Sequence, residues 1–126
     1  MSEQQTDGPP PKTQRQQGAD CCSVSHTHSL TESEVATDVD ILATLGNDTR
    51  YEALRLIAEV DDGVCVCEIE PALGVSQGAV SQALSRLFSA GLVDRRKEGR
   101  WRYYTATSRA KQLLRVLDDT RSPDDD

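Results

Sequence analysis

Up to Ala90 the apolar residues of this chain recur every third or fourth position, but from Leu92 to Ala106 the pattern alternates around Gly99. That switch of period, from about 3.6 to 2, narrows the fold more than any other feature, because it requires helices followed by a β-hairpin. Gly99 can take the positive φ of a tight hairpin turn. On the second strand Trp101 and Tyr103 are expected on one face, with Arg100, Arg102 and Tyr104 on the other.

The helical part divides at clear stops. "SEVATDVDILATL" carries Val35, Val39, Leu42 and Leu45 near helical spacing, and Gly46 ends it. Asn47 or Asp48 caps the next segment, "TRYEALRLIAEV", in which Leu54, Ile57 and Ala58 face one way. A short helix over roughly Cys65 to Leu73 follows, with Pro71 tolerable only in a first turn or at an irregularity. Gly74 makes a turn, and Ser76 caps a longer helix to about Ala90. After the hairpin, Thr107 caps a last helix with an apolar stripe of Ala110, Leu113, Leu114 and Leu117. Helices in this order with one hairpin describe a mainly α fold, a winged helix-turn-helix of the type ααααββα. Residues 1–29, rich in Gln, Pro, Ser and Thr, are expected to form a flexible tail, since they cannot bury enough surface to offset ordering. Residues 30–119 form the domain, and 120–126 an acidic tail.

The helix from Ser76 sorts into two faces. Val80, Ala83, Leu84, Leu87 and Phe88 make a core stripe, while Gln77, Gly78, Ser81, Gln82 and Ser85 share the other side without one acid. A solvent face ordinarily favours Glu and Lys, whose i,i+4 pairs support the helix. Gln can instead bond an adenine edge, Ser can donate or accept, and Gly lets a backbone approach closely. Charge agrees with this reading although the total is −7. Residues 71–115 hold 9 basic and 2 acidic groups, against 4 and 14 in residues 1–70. A basic block between acidic flanks suits a local phosphate-binding surface, although a solvated charged helix would read the same way on charge alone. Ser76, Gln77, Gly78, Ser81 and Gln82 are therefore the expected base readers. Arg95, Arg96, Lys97, Arg100 and Arg102 are the expected contacts to phosphate or the minor groove. Trp101 is expected to pack within the wing.

The four cysteines fall in two clusters, Cys21–Cys22 and Cys65–Cys67. No segment reaches the run of about 18 apolar residues that a membrane helix needs, and the start lacks a secretory plan. A cytoplasmic, reducing location is the default, in which clustered thiols point to ligation or redox chemistry rather than structural disulfides. Thiolates select soft ions over Mg or Ca. On a regular helix the side chains of Cys65 and Cys67 would lie about 200° apart, so chelation of one ion needs the start of that helix to distort. Small buried hydrophobes would be the ordinary alternative for such cysteines.

Taken together, "LGNDTRYEALRLI" and "VCVCEIEPALGVSQGAVSQALSRLFSAGLVDRRKEGRWRYYTAT" resemble the ArsR-type (ArsR/SmtB) metal- and metalloid-responsive repressors, over about residues 35–117. The resemblance implies a homodimer that sits on double-stranded operator DNA and leaves when a thiophilic ion binds, with the outer helices forming the dimer interface. It implies arsenite or antimonite as inducer, with Cd or Zn as the alternative, and no required cofactor. Arsenic-sensing members usually offer a third thiol where this chain has Glu70. Cys21 and Cys22 then become candidate ligands beside Cys65 and Cys67. The 13 residues from Cys22 to Val35 span up to about 47 Å when extended, so reach is no obstacle. No histidine follows His28, so the zinc site that some members build on the last helix is absent in that form; His26 and His28 are expected to be incidental.

Nothing in the chain forms a catalytic set, and histidine-based acid–base chemistry has no anchored residue; an enzyme is not expected. A redox regulator using the same thiols is the main rival. It needs low-pKa thiolates, and the neighbours Asp61, Asp62, Glu68 and Glu70 oppose that. A protein-interaction module with no DNA partner is the remaining class.

Overall fold

The computed structural model describes residues 26–122. Helices α1 (Glu32–Leu45) and α2 (Asp48–Ala58) lead into a two-residue strand, β1 (Val64–Cys65). Helices α3 (Val66–Leu73) and α4 (Gln77–Ser89) follow, then strands β2 (Val93–Glu98) and β3 (Trp101–Ala106), and finally α5 (Ser108–Thr120). Of the residues before Thr31, His26–Leu30 are exposed, and the Leu30 amide donates to His28 Nδ1 at 3.1 Å. Among the described residues no helix is long and apolar enough to cross a membrane.

Local chemistry sets the boundaries. Thr31, Asn47, Ser76 and Thr107 each accept an amide of the first turn they precede, at 3.1, 3.0, 3.1 and 3.3 Å, which satisfies donors that a helix start leaves open. Gly74 closes α3 in the left-handed region (φ 69°), where its N–H donates to the Glu70 carbonyl. The core joins Leu54 and Ile57 of α2, Ile69 of α3, Val80, Leu84 and Leu87 of α4, Val93 and Tyr104 of the sheet, and Ala110 and Leu114 of α5. Each such aliphatic side chain contributes roughly 1.5–3 kcal/mol on burial, so α4 is the best-anchored helix.

Three details differ from the sequence expectation. The wing is a three-stranded antiparallel sheet of order β1-β3-β2 rather than a lone hairpin, because Val64 and Cys65 pair with Tyr104 and Tyr103. Helix α1 buries Ile41 and Thr44, while Val39 and Leu42 of the expected stripe stay 56% and 66% exposed. Two apolar stripes run along α1, and the domain covers only the inner one. On α5 likewise Ala110 and Leu114 are buried, whereas Leu117 and Val116 are exposed. Phe88, expected in the core stripe, lies at its rim with the Arg95 guanidinium 4.0 Å from its ring centroid.

Ion pairs fix α1 and α5 around this frame. Arg86 of α4 meets Asp40 at 2.9 Å, Arg109 of α5 meets Asp38 at 3.3 Å, and Arg55 of α2 meets Asp118 at 2.7 Å. Hydrogen bonds from Arg55, and then Arg121, hold the Asp118 carboxyl down to about 2. Any stability this pair adds is therefore present above the ordinary carboxylate range and lost as pH falls through about 2. Exposed pairs of this kind add little.

Candidate nucleic-acid interface and thiol site

Helix α4 presents the expected polar face. Gln77, Gly78, Ser81, Gln82 and Ser85 are all exposed. The side chains of Gln77, Ser81 and Gln82 have no hydrogen-bond partner among the described residues. Ser81, Gln82, Ser85 and Arg86 line a shallow open depression, and Gln82 also borders a groove shared with Asn47 and Thr49 at the start of α2. A Cβ added at Gly78 would meet nothing within 4 Å, so no internal contact requires glycine there. Ser76 differs from its neighbours, because its Oγ already accepts the Ala79 amide as the cap and only its proton remains to donate.

The wing sorts its cations by sheet face. Residues directly opposite on paired strands share a face. One row runs Val64–Tyr104–Arg95 and turns inward, which seats Arg95 on Phe88 of α4. Lys97 pairs with Arg102 further along the same face, and Arg100 follows Gly99 in the turn. None of these three has an ion-pair partner among the described residues. Trp101, expected to pack within the wing, is 50% exposed. Arg96 stands apart from the other four cations. Its Nε donates to Glu98 at 2.7 Å, its Nη2 donates to the Asp62 carbonyl at 3.2 Å, and its guanidinium lies 5.2 Å from the Tyr103 ring centroid.

The thiols sit where the sheet meets the helix-turn-helix. Helix α3 opens at Val66, one residue later than expected, and Cys65 stays outside it as an extended N-cap (φ −78°, ψ 146°). This resolves the 200° difficulty, because only Cys67 is helical. Its Sγ donates to Cys65 Sγ at 2.7 Å, and its amide donates to the same sulfur at 3.4 Å. The Cys65 amide in turn donates to Glu68 Oε1 at 3.0 Å, a reciprocal capping box with sulfur in the place of a hydroxyl. Cys65 is buried and Cys67 exposed. The Cys67 thiol is held above its ordinary value, first by its hydrogen bond to Cys65 and then by desolvation and by the Cys65 and Glu68 charges.

Two sulfurs on a common tetrahedral ion lie roughly 3.8 Å apart, from bonds of about 2.3 Å. The pair thus reaches the spacing for one soft ion once its sulfurs open by about 1 Å, a change shared between Cys65 and Cys67. Among the described residues no group of three His, Cys, Asp or Glu could hold a metal ion. Cys21 and Cys22 lie outside the described residues. Sequence reasoning missed Glu68 as the partner of the Cys65 amide, although Cys65-x-x-Glu68 has the spacing of a capping box. It also missed the Asp62–Arg96 contact, which no local pattern announces.

A polar helix face, a short helix packed behind it and a cation-bearing wing define a winged helix-turn-helix DNA-binding regulator. Comparisons with known proteins carry this further. The profile of bacterial regulatory proteins of the arsR family matches residues 47–95. A Halobacterium salinarum protein, named as a candidate arsenical resistance operon repressor, is 57% identical over 101 residues, 80% of this chain and 83% of its own. An arsenic resistance transcriptional regulator of Pseudomonas putida is 40% identical over 54% of this chain and 58% of its own. Among solved structures, HlyU from Vibrio cholerae superimposes with a TM-score of 0.63 at 29% identity, over 72% of this chain and 98% of that one. The chain belongs to the arsR family and is a DNA-binding transcriptional repressor.

Proposed function

We propose that this repressor is a homodimer released from its operator when trivalent arsenic or antimony is captured by Cys65 and Cys67. The observation that carries the reading is the 2.7 Å approach of the two sulfurs at the N-cap of α3. Capture exchanges the thiol-to-sulfur hydrogen bond for two bonds to the ion, which spreads the sulfurs and turns the Cys65 sulfur off the Cys67 amide that it caps. Helix α3 packs directly behind α4 through Ile69. Ser76, Gln77, Gly78, Ser81 and Gln82 read the operator, while Arg95, Lys97, Arg100 and Arg102 meet its backbone. The third donor to the ion is Cys21, Cys22 or an external thiol. Val39 and Leu42 on α1, with Val116 and Leu117 on α5, are the exposed apolar residues that a second copy would cover.

The raised Cys67 thiol speaks against the redox rival, which needs a thiolate. It also separates arsenite from Cd or Zn. Arsenous acid and two thiols condense to a dithiolate with loss of two waters, and no net proton is released. A divalent cation must instead displace the Cys67 proton into solution.

The test uses duplex DNA from upstream of the protein's own coding sequence. Arsenite should lower wild-type affinity about 5- to 150-fold, the usual range of such coupling, and release no proton in weak buffer. Cys65→Ser should bind the duplex normally and ignore arsenite. An operator complex that survives saturating arsenite but dissolves in cadmium, with proton release, or in diamide would replace this reading with the corresponding rival.

A further inference from the structure

We infer that Arg96 is a positioning residue that latches the wing to the thiol-bearing loop, so that ion capture moves the wing as well as α3. The inference rests on the ion-capture reading above. Cys65, Tyr103 and Arg96 are directly opposite one another on three adjacent strands, and so form a single row on the sheet face opposite that of Val64, Tyr104 and Arg95. The thiol-bearing residue is therefore itself a strand partner of the wing. Arg96 closes the row from its far side. Its guanidinium lies over the Tyr103 ring and reaches back across it to the Asp62 carbonyl, three residues before Cys65. Its Nε is held by Glu98, next to the hairpin turn.

The loop between these points lies flush on the wing. Gly63 adopts φ 110°, and a Cβ there would stand 3.3 Å from Tyr103 Cβ and 3.4 Å from Arg96 Nη1. With so little space, a shift of Cys65 on ion capture displaces Tyr103 and Arg96 by contact. Arg96 then carries the shift to Glu98 and the tip, where Lys97, Arg100 and Arg102 stand. Arg95, one residue away, belongs to the other face and is seated on α4. Adjacent arginines thus answer to the two halves of the machine, one to the thiol loop and one to the reading helix.

The chain's one tryptophan gives a direct readout. Trp101 is opposite Glu98, on the face that carries Tyr103 and Arg96, and it is half exposed. In the full-length wild type, arsenite alone should change Trp101 emission without DNA. Arg96→Met and Arg96→Lys should both capture arsenite, followed by arsenic–thiolate absorbance, with wild-type stoichiometry and no emission change. Both should hold ion-free operator affinity within about threefold, and their arsenite response should shrink from about 5- to 150-fold to less than about threefold.

If Arg96 instead contacts phosphate, Arg96→Met loses ion-free affinity with a salt slope shallower by about one, while Arg96→Lys keeps both. That result overturns the inference. A merely structural Arg96 lowers thermal stability in both variants and leaves the fold-response to arsenite intact, which also overturns it. Failure of the wild type to capture arsenite or cadmium removes the thiol reading and the latch with it. Capture in all three proteins with an undiminished response removes the latch alone.

Discussion

Helices α3 and α4 are the two arms of one helix-turn-helix, yet they are built to opposite standards. Helix α4 has 13 residues, an oxygen cap from Ser76 and four buried residues: Val80, Ala83, Leu84 and Leu87. Helix α3 has 8 residues, a sulfur cap from Cys65 and one buried residue, Ile69. It also holds Pro71 inside. The missing N–H of Pro71 denies the carbonyl four residues back its bond, and its ring crowds that carbonyl. The residue four back is Cys67. The thiol proposed to sense the ion is thus placed on the least constrained turn of the motif, and the proposed reading surface on the most constrained helix. An element that must respond to an ion is drawn from the low-stability end of a structure, and an element that must hold register is not.

The largest effect should come from undermining the rigid arm. Leu84→Ala leaves a cavity at a side chain that is 1% exposed, and should cost about 2–5 kcal/mol in urea denaturation. Operator binding should fail in parallel. A cost under about 1 kcal/mol would mean that α4 does not anchor the domain.

Stiffening the weak arm should act in the other direction. Pro71→Ala restores a donor to the Cys67 carbonyl and removes the ring clash. It should stabilise the protein by about 1 kcal/mol or more, because an interior proline costs a helix up to about 3 kcal/mol while the freer unfolded chain returns part of that gain. The same variant should bind operator normally and respond less to arsenite. Unchanged stability together with an unchanged response would erase the contrast between the two helices.

The rigid arm was legible in the sequence almost residue by residue, and the weak arm was not. Val80, Ala83, Leu84 and Leu87 recur at helical spacing after a Ser cap, so the periodicity that buries them also exposes Gln77, Ser81 and Gln82. Phe88 continued the same period but fell at the rim, where only tertiary packing sets how far the core extends. The outward stripes of α1 and α5 misled for a related reason. Period alone does not say which of two apolar stripes a domain covers, as Ile41 and Leu42 illustrate. At the thiols, the spacing of Cys65 and Cys67 posed a geometric problem that a helical reading could only solve by distortion. The structure solves it by starting the helix one residue later. That shift depends on Glu68 and on pairing with Tyr103, some forty residues downstream. Long-range strand pairing of two residues leaves no periodic trace, and so the path from thiol to wing was invisible in the sequence.

The smallest effect on stability tests whether the rigid arm owes anything to its own fold at the surface it presents. Gly78 lies in the first turns of α4 with an ordinary φ, and an added Cβ meets nothing. Glycine in a helix costs about 0.5–1 kcal/mol relative to alanine, so Gly78→Ala should raise the unfolding free energy by that amount and move the urea midpoint up with it. A methyl group there nonetheless stands on the face proposed to meet DNA, between Gln77 and Ser81, and would hold the backbone off a base edge or phosphate. Operator affinity should therefore fall while stability rises, measured on the same preparation by denaturation and by fluorescence anisotropy of a labelled duplex. The two readouts moving in opposite directions is what identifies a residue kept for close approach. If affinity stays at the wild-type value while stability rises, Gly78 is outside the interface, and the reading surface begins further along the helix at Ser81.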